Sequence, residues 1–89
     1  MLIQIGLAVA QPCIRGQVLD KVTNEPISDV LALALDNNIG FKLDSTGRFE
    51  LCFEENQTEY VLDFMSSDYD HLQIVLQPDE IETEIKVYL

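Results

Sequence analysis

The strongest constraint on the fold is an alternation of apolar and polar residues in short segments of the chain. It is clearest at residues 48–54, where three apolar side chains, Phe49, Leu51 and Phe53, alternate with polar or charged neighbours. A period of two places successive side chains on opposite faces of a β-strand. Because no stretch has a sustained helical period with flanking caps, this alternation predicts an all-β protein.

Seven segments of this kind follow Pro12, and turn-forming residues separate them. The predicted strands cover about residues 13–20, 29–36, 40–43, 48–54, 60–64, 72–76 and 81–89. The second segment is apolar on both faces, and its alanines and leucines also suit a helix. Its short length, between Pro26 and Asn37-Asn38, favours a strand. Seven strands with one buried face each predict two antiparallel sheets packed face to face, which is a β-sandwich.

The charge of the chain restricts the kinds of partner that it can bind. The 89 residues suffice for one domain, and sixteen acidic against five basic side chains give a net charge of −11. Nucleic-acid binding needs Lys and Arg to neutralise phosphates, and docking on anionic lipid needs them as well. We therefore expect a protein partner or an adjacent domain of the same chain, and no nucleic acid.

Residues 1–12 differ from the rest of the chain. Met1 to Ala10 are uncharged and mostly apolar, and they end in Ala8-Val9-Ala10, which fits a signal-peptidase site. The run is shorter than the roughly 20 residues that a membrane-spanning helix needs, so we expect no direct membrane insertion. Two interpretations stay open, the remnant of an export signal or an extra edge strand. In both, residues 13–89 form the domain.

The order of the strand and turn motifs resembles the carboxypeptidase regulatory-like domain, a member of the transthyretin-like (prealbumin-like) group. The matching segments are Ile14–Asp20, Asn24–Val30, Asp44–Leu51, and Tyr60–Phe64 followed by Asp68-Tyr69. Asp68 stands where the family usually has Gly. The resemblance extends over about residues 14–89 and implies a seven-stranded, Ig-like Greek-key sandwich.

The same resemblance carries expectations about function. Such domains have no peptidase activity of their own and are common in exported proteins of Bacteroidetes-like bacteria. There they precede outer-membrane transporters or stand in other cell-envelope proteins. It implies a secreted, periplasmic, outer-membrane or cell-surface protein in which the domain docks a protein partner or serves as a structural accessory. A carbohydrate- or calcium-binding surface domain is the alternative.

Cys13 and Cys52 are the first candidate pair. If the first and fourth strands are neighbours, as in transthyretin-like sheets, a cross-strand disulfide can join them, and an exported protein would meet the oxidising conditions that it needs. The alternative is two unlinked thiols. Neither cysteine has an evident basic or histidine neighbour in sequence, and we expect no catalytic residue, no enzymatic activity and no cofactor.

Two further candidate sites concern calcium and an interface. Asp68 and Asp70 are the best calcium candidates, but turn-forming Asp is the better account of them and no Asp-x-Asp-x-Asp-Gly loop is present. If Ala32 and Ala34 face the core, Leu31, Leu33 and Leu35 form an exposed patch that marks an interface, including that of a homodimer. The reverse orientation, with the leucines inward, leaves little patch. An amino-terminal strand carrying Ile3, Ile5 and Leu7 would cover the patch.

Overall fold

The structure, a computed structural model, describes residues 11–89. Both interpretations of residues 1–10 therefore fall outside its range. Two short 3-10 helices, Leu35–Asn37 and Pro78–Ile81, accompany the strands, and none of the described helices is long and apolar enough to cross a membrane. The strands are β1 (Cys13–Leu19), β2 (Leu31–Ala34), β3 (Ile39–Phe41), β4 (Arg48–Cys52), β5 (Tyr60–Ser66), β6 (Tyr69–Leu76) and β7 (Ile85–Tyr88).

The strands form two sheets, which confirms the prediction of a seven-stranded all-β chain. One sheet has the order β4-β1-β7 and the other β3-β2-β5-β6. The prediction that every neighbouring pair is antiparallel is wrong for β1 and β7, which run parallel from Gly16 opposite Ile85 to Leu19 opposite Tyr88. Parallel neighbours need a long crossover connection. The first and last strands can pair this way because the other five strands lie between them in the chain.

Side chains from both sheets pack into one hydrophobic cluster. The alternation on β4 is the one that the sequence shows, with Phe49 and Leu51 buried and the alternating residues Arg48, Glu50 and Cys52 exposed. The Phe49 ring lies 5.0 Å from that of Phe41 on β3 and 5.8 Å from that of Phe64 on β5, centroid to centroid. These distances are typical of tilted aromatic pairs, so Phe49 links the two sheets directly.

The turn before β4 depends on Gly47 and Asp44. The φ angle of Gly47 is 76°, and a Cβ atom there would lie 2.7 Å from the carbonyl oxygen of Val18, so only glycine fits. Asp44 Oδ1 accepts hydrogen bonds from the hydroxyl of Thr46 at 2.6 Å and from the backbone N–H of Arg48 at 3.0 Å. These hydrogen bonds hold the pKa of Asp44 below its ordinary value. The bond from the Thr46 hydroxyl has the largest effect, and the bond from the Arg48 N–H follows.

The predicted seventh strand begins too early. Residues 78–81 form a 3-10 helix, and β7 begins only at Ile85. Pro78 suits a first helical turn, and the backbone N–H of Gln77 donates to the side chain of Glu80 at 2.7 Å in a capping box. Ile81 is nevertheless buried. The alternation read through Ile81 therefore reflects a buried helix end and not a continuous strand.

Candidate functional site

Cys13 and Cys52 lie directly opposite each other in the β1–β4 pair, and a disulfide joins them. The bond links edge strand β4 to the middle strand of its sheet. The side chain of Glu50 lies close enough that its carboxylate and the two sulfur atoms are within 4.8 Å of one another. Because the sulfur atoms are bonded to each other, neither is a thiolate that could bind a metal ion. The arrangement is a structural cross-link beside an exposed acid.

Asp68 and Asp70, the calcium candidates, are exposed residues at the turn between β5 and β6. They border an open depression of about 360 Å³ that is also lined by Asp20 and Tyr69. Among residues 11–89, no three carboxylates have oxygen atoms within 4.8 Å of one another. The structure thus places the two candidates near a third acid without gathering a three-carboxylate set, and calcium binding stays a prediction.

The carboxylate of Asp20 accepts hydrogen bonds from its own loop and from Tyr69. Its Oδ1 accepts the backbone N–H groups of Val22 at 2.7 Å and Thr23 at 3.0 Å, and the Tyr69 hydroxyl donates to its Oδ2 at 2.9 Å. The bonds from the Thr23 and Val22 N–H groups, followed by that from Tyr69, hold the pKa of Asp20 below its ordinary value. The pKa of Tyr69 is raised, first because its hydroxyl donates to Asp20. This carboxylate therefore ties the loop after β1 to the start of β6.

The leucines of β2 face away from the core. Ala32 and Ala34 have 0% and 1% of their surface exposed, whereas Leu31 has 64%. Leu33 is half-buried between the two alanines, and Leu35 is half-buried in the 3-10 helix after β2. Of the two orientations left open by the sequence, the structure has the one with alanines inward. Leu31 and Leu33 share one face, and Leu35 lies beyond the end of the strand.

Three more apolar residues lie on this side of the four-stranded sheet. Met65 is opposite Leu31 in the pairing of β2 with β5, and Val61 is opposite Val75 in the pairing of β5 with β6. Val75 is 49% exposed, and Met65 and Val61 are half-buried. We call the set Leu31, Leu33, Val61, Met65 and Val75 the outer apolar face. Sequence reasoning identified its leucines and missed its contributions from β5 and β6.

A polar pair sits within the outer apolar face. Asp63 on β5 is opposite Leu33, and its Oδ1 lies 2.6 Å from Nε2 of His71 on β6. The Asp63 side chain is 10% exposed and that of His71 is 55% exposed. An ionised carboxylate only accepts hydrogen bonds, so the imidazole N–H donates to it. The register of β5 and β6 shifts between Phe64 and Ser66, so that Asp63 lies opposite Gln73 and His71 is its diagonal neighbour. Without that shift the turn would put His71 on the other side of the sheet, and no signal in the sequence revealed the pair.

The basic side chains are grouped around the other sheet. Arg48 lies 3.6 Å from Glu84, and Lys86 Nζ donates to Gln17 Oε1 at 2.7 Å. An open depression of about 470 Å³ on this side is lined by three basic and three acidic side chains, Arg15, Lys42, Arg48, Asp44, Glu50 and Glu84. Its charges balance. No Lys or Arg occurs between residues 49 and 85, a stretch with eleven acids that includes β5 and β6.

When the chain is compared with known proteins, no family model and no curated protein matches its sequence.

Proposed function

We propose that residues 13–89 are a non-catalytic β-sandwich module of a secreted or cell-envelope protein, which docks a protein partner through its four-stranded sheet. The observation that carries the proposal is the outer apolar face, where Leu31 and Val75 are 64% and 49% exposed. Exposed apolar side chains grouped on one side of a sheet are typical of sites of protein interaction. The partner is another protein or an adjacent domain of the same chain.

Two observations support the finer description of the fold. Both sheets contribute to one core, as in a sandwich, and β1 neighbours β4 as in transthyretin-like sheets. The proposed type is a carboxypeptidase regulatory-like domain with Ig-like Greek-key connections. It rests on the order of motifs in residues 14–89, which the turn at Asp44–Gly47 supports with its Asp cap and its glycine in the left-handed region.

The disulfide supports export. Disulfides persist in oxidising compartments such as the periplasm and the cell surface, and they are rare in the reducing cytosol. The bond between Cys13 and Cys52 is therefore the feature of the fold that fits a periplasmic, outer-membrane or cell-surface location.

The side chains that most often act in catalysis have structural partners. Both cysteines are in the disulfide, and the hydrogen bond of His71 goes to Asp63. A nucleophile needs a base within hydrogen-bonding distance. These partners support a binding role for the module and not a catalytic one.

Site-specific photo-crosslinking tests the docking surface. A benzophenone amino acid replaces Leu31 on the outer apolar face in one variant, and Glu50 on the outer side of the other sheet in the matched control. Both are exposed in the free protein. After irradiation with the envelope and secreted fractions of the source cells, we expect a discrete product from position 31 only. Adding Leu33→Asp should abolish it, and adding Arg15→Asp should not.

Equal products from both positions, or a product from position 50 alone, would contradict docking through the four-stranded sheet. A product with twice the mass of the chain would identify the partner as a second copy. The proposed docking of a different protein would then be wrong, and the face would be a homodimer interface.

A further inference from the structure

Among residues 11–89 the two sheets have four edge strands, and β6 is the least protected of these. β3 has three residues, β4 is tied to β1 by the disulfide, and β7 has four residues with Lys86 among them. β6 has eight residues and contains no Lys, Arg or Pro, and its single register shift against β5 lies near its start, so that Leu72–Leu76 is regular. Within residues 11–89 its one strand neighbour is β5. Proteins normally protect long edges with Lys, Pro, bulges or short length, because an open edge pairs with other strands.

The charges around β6 restrict what can pair with it. Asp68 and Asp70 lie at its amino-terminal end, and Asp79 and Glu80 follow its carboxyl-terminal end; all four are exposed. The middle of the strand, Leu72–Leu76, carries no charged side chain. An incoming strand thus meets an uncharged, mostly apolar centre between two acidic ends.

A second copy of the chain does not fit this edge. Antiparallel pairing of two β6 strands would place Asp68 and Asp70 of one copy beside Asp79 and Glu80 of the other. Parallel pairing would place each acidic end of one copy beside the same acidic end of the other copy. Like charges placed next to each other cost several kcal/mol in an interface, and each chain already carries a net charge of −11. Charge complementarity requires a basic partner.

We propose that the free edge of β6 binds an extended segment of the partner protein, apolar in its centre and with Lys or Arg at both ends. This inference rests on the proposed docking function and names its partner. Eight residues of β-strand are about 27 Å long, so a segment of about eight residues matches the edge. Main-chain hydrogen bonds supply affinity, and the terminal charges set specificity. Val75, on the outer side of β6, contacts the side chains on that side of the added strand.

Synthetic peptides test this inference on the full chain with its disulfide intact. The probe is an eight-residue peptide with Lys at both ends and alternating Val and Thr between them. One control has Glu at both ends, and the other has the Lys ends with N-methyl groups on alternate backbone amides, which removes strand pairing. Binding is followed by fluorescence anisotropy of labelled peptide, and the site is mapped by amide chemical shifts.

We expect the Lys-ended peptide to bind at least tenfold more tightly than either control, to bind more weakly in high salt, and to shift amide signals of β6. The double variant Asp70→Lys/Asp79→Lys should reverse the preference and select the Glu-ended peptide. The matched variant Glu50→Lys/Glu54→Lys has the same net charge, alters one exposed acid on β4 and one two residues after its end, and should keep the original preference.

Equal binding of the N-methylated peptide would overturn strand addition, and an unchanged preference in the Asp70→Lys/Asp79→Lys variant would overturn the role of the acidic ends. A crosslinked product from position 31 together with failure of all three peptides would refute the edge inference and leave the docking function intact. Absence of both would refute the docking function as well.

Discussion

Loss of the Cys13–Cys52 bond should remove a large part of the stability of this domain. The bond closes a loop with a sequence separation of 39 residues. In the chain-entropy treatment, a loop of that size lowers the entropy of the unfolded chain by about 13 cal/mol/K, which corresponds to about 4 kcal/mol at 25 °C. A domain of this size has a free energy of unfolding of about 4–12 kcal/mol in total.

The measurement is urea unfolding of the oxidised chain, the chain in reductant, and the Cys13→Ser/Cys52→Ser variant. With a urea m-value of about 1–1.5 kcal/mol/M, the midpoint should fall by about 3 M in both bond-free samples. The variant controls for effects of reductant itself, because its midpoint should not respond to reductant. A midpoint that changes by less than about 1 M when the bond is removed would contradict the expected stabilisation. Detection of free thiols in the oxidised chain would contradict the bond itself.

Three further predictions concern the turns. Gly47→Ala should lower the free energy of unfolding by about 2 kcal/mol, because of the positive φ and the contact of a Cβ with the Val18 carbonyl. The control Gly40→Ala, where a Cβ would lie 3.8 Å from its nearest neighbour, should change stability far less. Equal effects of the two substitutions in urea unfolding would contradict this. Because the pKa of Tyr69 is raised, its hydrogen bond to Asp20 contributes fully to the free energy of unfolding below pH about 10. That contribution is lost as the pH rises through the pKa of Tyr69 in the folded state. Tyr69→Phe should therefore remove part of the alkaline fall in stability, and an unchanged pH profile would count against the bond. Millimolar calcium should leave the thermal midpoint unchanged, because both carboxylate oxygens of Asp20 already accept hydrogen bonds. A rise of several degrees would instead support the calcium interpretation.

The strands could be predicted where one face is buried and the other is solvated. On β4 the alternation of Phe49 and Leu51 with charged residues reproduces the observed burial, because period-two patterns report directly which side of a strand meets the core. The same rule fails at Ile81, which is buried from the end of a 3-10 helix. Burial by a helix end and burial by a strand leave the same apolar residue in the sequence.

The pairing of strands lies beyond what local pattern can reveal. The parallel contact of β1 with β7 joins residues about 70 positions apart, such as Gly16 and Ile85. The residues of either strand do not indicate which strand lies next to it. The orientation of β2 was open for a related reason. Leucines and alanines alternate there without any polar residue, so that hydrophobicity alone does not say which set faces inward. The structure places the smaller alanines inward, where the aromatic rings of Phe41 and Phe64 occupy the core around them.

The two sheets differ in how their outer sides are held, and this difference favours the four-stranded sheet as the docking surface. On the outer side of the three-stranded sheet, the disulfide ties β4 to β1 and the bond between Lys86 and Gln17 ties β7 to β1. Covering that side with a partner would strip water from several charged groups, which costs free energy.

On the outer apolar face the comparable cost is small, because its one buried acid is already shielded. Asp63 is 10% exposed in the free protein and has His71 as its hydrogen-bond partner. A partner that covers Leu33 and Val75 therefore removes apolar surface from water, at about 25 cal/mol per Å², without burying a carboxylate that lacks a hydrogen-bond partner. Removal of the imidazole would reverse this balance. His71→Ala would leave Asp63 without its bonded partner, and covering the face would then bury a charge that nothing compensates. A loss of partner binding in His71→Ala that exceeds the loss in His71→Gln, whose amide can still donate to Asp63, is the expected sign that the pair prepares this face for contact.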